Sequence, residues 1–154
     1  MDVRPVRLSD PGVAPLLSGL AAHYEQLYGP NDEMAKVGAE EFDPPGGLFV
    51  AVIEDGVVVA GGGYRALAPG MCEVKRMWTR EDQRRRGLAS VVLGELEERA
   101  RVAGYRTVRL ETGPRQPGAA ALYTARGYRR IEAYGWYPQA LAFERELGRD
   151  QPLT

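Results

Sequence analysis

The sequence predicts an α/β fold in a single domain, on three observations. A strand, an amphipathic helix and another strand follow one another between residues 71 and 111. Two apolar runs flank Glu54-Asp55-Gly56 as the arms of a hairpin, and a second helix with two closing strands completes the chain. Strand, helix and strand in this order require a crossover, so strands 71–79 and 107–111 are expected as parallel neighbours with a right-handed connection. At 154 residues the chain can bury a proper core without staples. Residues 1–148 read as the one domain and 149–154 as a loose tail.

In chain order, residues 3–8 alternate as a first strand, and Ser9-Asp10-Pro11-Gly12 is a turn and helix start. Leu16, Leu17, Leu20, Tyr24 and Leu27 mark an amphipathic helix over residues 13–28, stopped by Gly29-Pro30. His23, the sole histidine, has no second ligand or nucleophile paired with it, and reads as a boundary residue rather than a base. Residues 31–42 are polar with room for a short helix, and Asp43-Pro44-Pro45-Gly46-Gly47 breaks the chain. Strands 48–53 and 57–64 follow; Gly61-Gly62-Gly63 in the second suggests a bulge, or room for something to approach the backbone closely. Ala68-Pro69-Gly70 turns into the central strand 71–79. The next helix carries its apolar stripe at Ala89, Val92, Leu93, Leu96, Ala100 and Ala103, and Gly104 suits its left-handed end. After strand 107–111, Pro117 opens a helix that runs to Arg126 and is capped by Gly127. Residues 128–132 and 140–147 close the fold around Tyr134-Gly135-Trp136-Tyr137-Pro138.

The informative stretch is Arg84-Arg85-Arg86-Gly87-Leu88-Ala89, where the long helix begins. Three arginines there oppose the helix dipole, at a cost of a few tenths to ~1 kcal/mol. No Ser, Thr, Asp or Asn stands immediately before Gly87 to accept the first free N–H groups. Bare donors beside cations describe an anion site fit for a phosphate or pyrophosphate. The same residues could instead be a solvated cluster that keeps a turn soluble. The loop lacks the Lys-Ser/Thr pair of a P-loop. A pyrophosphate held there without metal, at the end of a parallel strand, suits a cofactor used as a handle.

These segments resemble the GNAT superfamily of acyl-CoA-dependent N-acetyltransferases over about residues 3–147. The arginine loop is similar to the family's R/Q-x-x-G-x-G/A, with the strand 73–79 before it. Downstream, Gln116-Pro117-Gly118-Ala119-Ala120-Ala121-Leu122-Tyr123 and Arg126-Gly127-Tyr128 resemble N-x-x-A-x-x-L-Y and a following G-F/Y. The resemblance implies a GNAT-like fold, a central mixed sheet flanked by helices whose fourth and fifth strands splay apart around the pantetheine arm of acetyl-CoA. It implies that Met77, Trp78 and Thr79 pair with pantetheine through their backbone, and that the amides of Arg84, Arg85, Arg86, Gly87, Leu88, Ala89 and Ser90 cradle the pyrophosphate. Gln116 stands where the family has Asn, and Thr79 where it has Val. Glu73 matches the general-base glutamate of some members, either facing the acceptor or acting through a water; its alternative is an ion pair with Lys75 or Arg76. Tyr123 matches the tyrosine that protonates the leaving thiolate, its alternative being a core tyrosine. Cys72 alternates away from Glu73 and reads as a buried structural thiol.

The implied activity is direct transfer of an acetyl group from acetyl-CoA to a primary amine of a small molecule or peptide, without metal. The rival reading is a non-catalytic acyl-CoA-binding sensor or interaction module. Lys plus Arg number 20 against 21 Asp plus Glu, so no overall field draws nucleic acid or an acidic membrane. One cysteine excludes an internal disulfide and a zinc cluster, and no apolar run approaches the length that crosses a bilayer. A cytoplasmic enzyme is the resulting expectation, and an exposed final strand could pair two copies as a homodimer.

Overall fold

The computed structural model describes residues 1–29 and 37–148; the readings made on Pro30, on residues 31–36 and on the tail from residue 149 lie outside them. Strand β1 (Asp2–Val6) pairs antiparallel with β2 (Leu48–Glu54), β2 with β3 (Val57–Ala68), and β3 with β4 (Met71–Thr79). The turn between β2 and β3 is a two-residue one, Asp55 and Gly56 at φ 51° and 76°, the twist that suits a tight hairpin. β4 then pairs parallel with β5 (Thr107–Thr112), and β5 antiparallel with β7 (Leu141–Glu146), with β6 (Arg129–Ile131) beyond it. The result among the described residues is one mixed sheet in the order β1-β2-β3-β4-β5-β7-β6.

Helices cover both faces. Alternation along β2 sends Val50 and Val52 to one side and Phe49 and Ala51 to the other. The first side packs against α2 (Leu88–Val102), whose Val92, Leu93 and Leu96 are fully buried. The second packs against α1 (Ala14–Tyr28), through Leu16, and against Phe42 at the end of a 3-10 turn over Ala39–Phe42. Helix α3 (Pro117–Ala125) brings Tyr123 against Tyr128 and Phe143, ring centroids 5.9 and 5.7 Å away. The stripe of α2 differs from the expected one at its ends. Leu88, not Ala89, is the first buried position, and Ala103 lies past the helix as an exposed cap, with Gly104 at φ 102°.

The triple glycine receives the molecule's own side chains. A Cβ on Gly61 would lie 2.5 Å from Leu16 Cδ1, one on Gly62 2.4 Å from Met77 Sδ, and one on Gly63 2.6 Å from Phe42 Cδ1 and 2.8 Å from the Leu48 carbonyl. These glycines let α1, β4 and Phe42 close onto β3. Gly63→Ala is therefore expected to destabilise the protein by about 1–3 kcal/mol, because the backbone carbonyl of Leu48 cannot swing aside. Urea unfolding checks this, and an unchanged midpoint would contradict it.

Candidate active site

The site begins with a fault in the sheet. Lys75 pairs with Gly63, but the next partners are Trp78 and Gly61, so β4 carries one residue more than β3 across this interval. The extra residue makes a bulge, and Arg76 within it holds φ 61°. For an L-residue that conformation costs roughly 1–2 kcal/mol. Buried Arg76 offsets it by donating to the Val37 carbonyl at 2.7 Å and lying over the Phe42 ring at 4.9 Å. A charge-assisted bond of this kind contributes about 1.5–3 kcal/mol. The bulge bends β4, and its parallel ladder with β5 covers only Met71 to Val74 against Thr107 to Leu110. Beyond that point the strands part, as the resemblance implied, and the edge of β4 at Met77, Trp78 and Thr79 faces a gap.

The arginine loop follows directly on the end of β4. After a 3-10 turn over Glu81–Gln83 the backbone takes left-handed values at Arg85 (φ 67°) and at Gly87 (φ 73°), the residue before α2. No side chain caps α2, so the N–H groups at Leu88, Ala89 and Ser90 open the helix without a side-chain acceptor at the Gly87 position. The three arginines divide. Arg86 folds back on Glu54, its two terminal nitrogens 2.6 and 2.9 Å from the carboxylate, and also meets Gln83. That pair holds the Glu54 carboxyl below its ordinary range. The expectation of three unneutralised cations thus fails at Arg86, whose charge is answered from β2. Arg84 and Arg85 stay exposed and form no ion pair among the described residues. Half-buried His23 on α1 lies near enough to feel Arg84; burial first, and then that charge, pushes its imidazole below the usual range.

Where β4 and β5 part, a cavity of about 510 Å³ passes through the sheet. On the α2/α3 face its wall includes Val74, Thr112 and Tyr123; on the other it includes Lys75, Glu111 and Trp136. Burial pushes the Tyr123 phenol up to about 12. The C-terminal end of α1 is stitched across the mouth: Gln116 donates to the Tyr28 hydroxyl at 3.2 Å, and Arg115 to the Leu27 carbonyl at 2.8 Å. The side chain of Gln116 is therefore already engaged by α1.

Glu73 sits one layer below the cavity, 3% exposed, and is absent from its wall. Arg65 donates to one carboxylate oxygen at 3.0 Å, with Lys75 Nζ 3.8 Å from the same atom, and the Tyr134 hydroxyl donates to the other at 2.7 Å. The ion-pair partners are Arg65 and Lys75 rather than Arg76. Burial and the Glu73 charge push the Tyr134 phenol above the usual tyrosine range. Two residues on, the Trp136 ring lies near both Arg65 and Lys75, whose cationic groups are 6.0 and 5.5 Å from it. Glu73 thereby anchors the loop that carries Trp136 and Tyr137 to the cavity wall. Phe42 lies in the core beneath Arg76.

Other members of the site carry little signal in the chain. Glu111, next to last on β5, shows only the alternation of any half-buried residue. Glu97, on the buried stripe of α2, accepts bonds from Arg126, Arg145 and Tyr128, and Arg126 also donates to Ser90 at 2.9 Å. A glutamate on an apolar helix stripe was the one available clue to that network. Cys72 is fully buried, and burial pushes its thiol up to about 12. Among the described residues no group of three His, Cys, Asp or Glu is placed to hold a metal, and no helix is long and apolar enough to cross a membrane.

A sheet parted at β4 and β5 beside an uncapped helix N-terminus defines a class of acyl-CoA-using folds, and the comparisons agree. The family model for the acetyltransferase (GNAT) family matches residues 17–128, and this chain belongs to that family. A solved structure from Klebsiella pneumoniae subsp. pneumoniae MGH 78578, named as an acyl-CoA N-acyltransferase, superposes with a TM-score of 0.79 at 26% identity, covering 96% of this chain and 97% of that one. A GNAT-family acetyltransferase from Staphylococcus aureus Mu50 gives 0.81 at 15% identity over 96% and 100%. The PaiA N-acetyltransferase of Thermoplasma acidophilum, solved with coenzyme A, gives 0.72 at 14% over 95% and 99%. The comparison with curated proteins gave no match.

The bulge makes its own prediction. Arg76→Ala is expected to lose about 1.5–3 kcal/mol, from the bond to Val37 and the contact with Phe42. Arg76→Gly should be the more stable of the two by about 1 kcal/mol, because glycine accepts the positive φ. Chemical denaturation of both variants tests the order, and a glycine variant weaker than the alanine one contradicts it.

Proposed function

We propose that this protein is an N-acetyltransferase that moves an acetyl group from acetyl-CoA directly to a primary amine of a small molecule or peptide. The observation that carries the reading is the parted sheet: an unpaired β4 edge at Met77, Trp78 and Thr79, leading to bare amides at the start of α2. An extended pantetheine arm offers amides and carbonyls to such an edge, and a diphosphate suits the helix start. Arg84 and Arg85 supply positive charge to the phosphates from the loop, while Arg86 holds the loop in shape through Glu54. Gln116 keeps the β5–α3 connection closed on α1 through Tyr28.

Acetyl-CoA supplies an activated thioester, so the protein has to align an amine and assist the departing sulfur. Met77 and its neighbours are positioned to fix the thioester in the gap, and a backbone N–H near Met77 to polarise its carbonyl. Tyr123 faces the same cavity from α3. Its phenol lies near 12, some 3.5 units above a thiol at ~8.5, so complete proton transfer to a thiolate would be uphill by ~5 kcal/mol. Tyr123 therefore assists chiefly as a hydrogen-bond donor to the developing charge. Direct transfer is favoured over a covalent acyl-enzyme because Cys72, the only thiol, is buried in the core and held protonated. Glu73 contributes by holding Tyr134, Lys75 and Arg65 in place, and so shapes the acceptor side.

Calorimetry with coenzyme A and a thiol-release assay over an amine panel test the reading. Binding with turnover is expected; binding without turnover on any amine would favour the sensor reading, and no binding would defeat both. Reversing Arg84 and Arg85 to Glu should weaken coenzyme A binding at least tenfold, about 1.4 kcal/mol, with a weaker salt dependence. Tyr123→Phe should lower kcat about 10- to 100-fold with little change in acetyl-CoA affinity. Because Tyr123 stays protonated, kcat should show no loss through about pH 10, where an ordinary tyrosine titrates.

A further inference from the structure

We infer that Arg126 is a positioning residue for the diphosphate of coenzyme A: held by Glu97, it turns the Ser90 hydroxyl toward the start of α2. The inference rests on the acetyl-CoA reading above and adds to that site a residue from a different element. Ser90, Gly94 and Glu97 follow at helical spacing and so share one face of α2. Arg126, at the end of α3, lays its guanidinium along that face. One terminal nitrogen donates to Ser90 Oγ at 2.9 Å and the other to Glu97 at 2.5 Å. A Cβ on Gly94 would stand 3.3 Å from the second of these nitrogens, a crowded approach that glycine relieves.

The direction of the hydroxyl follows from this contact. Side chains on a helix lean toward its N-terminus, so Ser90, the third residue of α2, carries its Oγ beside the first turn. The Arg126 guanidinium approaches that oxygen from the Gly94 side, one turn further in. A hydroxyl does not aim its hydrogen at a donor, so the Ser90 hydrogen turns the other way, toward the helix opening. A phosphate docked on the bare amides then gains an O–H donor as well.

Glu97 does not depend on Arg126 for a counter-charge. Arg145 pairs with its other oxygen at 3.0 Å, and the Tyr128 hydroxyl donates to that same oxygen at 2.8 Å. The cluster thus holds two guanidiniums for one carboxylate, and one of the two touches the first turn of α2. Net positive charge at that place favours an anion at the helix start. Arg126 Nε is buried with no acceptor among the described residues. A fork that leaves a donor unsatisfied is a poor device for stability alone, but it reaches Ser90 and Glu97 at once. The Arg126 N–H also closes α3, bonding to the Leu122 and Tyr123 carbonyls at 3.0 and 3.1 Å. The same residue therefore seats the start of α2 against the helix that carries Tyr123.

The test is a double-mutant cycle on coenzyme A affinity, measured by calorimetry on the full chain. Ser90→Ala should weaken binding about tenfold, through loss of a hydrogen bond to a charged oxygen. Arg126→Lys keeps a cation beside Glu97, but one ammonium does not bridge Glu97 and Ser90 as the planar fork does. It should weaken binding about three- to tenfold while Tm stays close to that of the wild type. In the Ser90→Ala background the same Arg126→Lys change should alter affinity less than about twofold, because Arg126 acts through the hydroxyl. If the lysine variant does not fold, Arg126→Gln takes its place in the cycle with the same expectation. Equal losses with and without the Ser90 hydroxyl, as a purely structural Arg126 would give, overturn the inference. So does undiminished affinity in either single variant, and both outcomes leave the acetyl-CoA reading intact. A wild-type protein that does not bind coenzyme A overturns both.

Discussion

The conformation of Arg76 is the constraint on which the site depends. A left-handed arginine in the middle of a central strand is unfavourable by itself. It persists because the guanidinium is buried against the Val37 carbonyl and the Phe42 ring, and because three glycines on β3 let Met77, Leu16 and Phe42 close in around it. The bulge it maintains ends the β4–β5 ladder after four pairs and turns the next residues of β4 toward open space. Without it, the two parallel strands could continue side by side, and the cavity through the sheet would have no floor plan.

Around that opening the ion pairs divide the work between holding and binding. Arg86 on Glu54 ties the helix-start loop to the hairpin, which leaves Arg84 and Arg85 to face solvent. Arg65 and Tyr134 on Glu73 fix the loop that carries Trp136. Arg126 and Arg145 on Glu97 join α2, the end of α3 and β7, and Arg126 reaches Ser90 in the first turn of α2. Each buried carboxylate in these clusters has more than one partner, as a charge removed from water requires.

Much of this was legible in the chain because it is local. Apolar spacing gave α1 and α2 nearly to the residue, and Asp55-Gly56, Gly104 and Gly127 marked turns and helix ends at positive φ. The strand–helix–strand order dictated the parallel pair. What escaped was set by partners distant in sequence. The triple glycine signalled a bulge, but the surplus residue lies on β4, in the strand facing it. Nothing local to Arg86 points to Glu54, 32 positions earlier, and nothing local to Glu73 points to Tyr134, 61 positions later. β3 runs on to Ala68 because β4 begins at Met71 and supplies a partner, a fact of pairing rather than propensity.

The central claim is that the parted edge of β4 takes up an extended ligand as a further strand. Amide hydrogen exchange at Met77, Trp78 and Thr79, measured with and without saturating coenzyme A, tests it most directly. Exchange at those amides should slow on binding, together with that at Leu88, Ala89 and Ser90 at the start of α2, while the interior of β2 stays as it was. Saturable binding that leaves the β4 amides exchanging at their original rates would contradict the account.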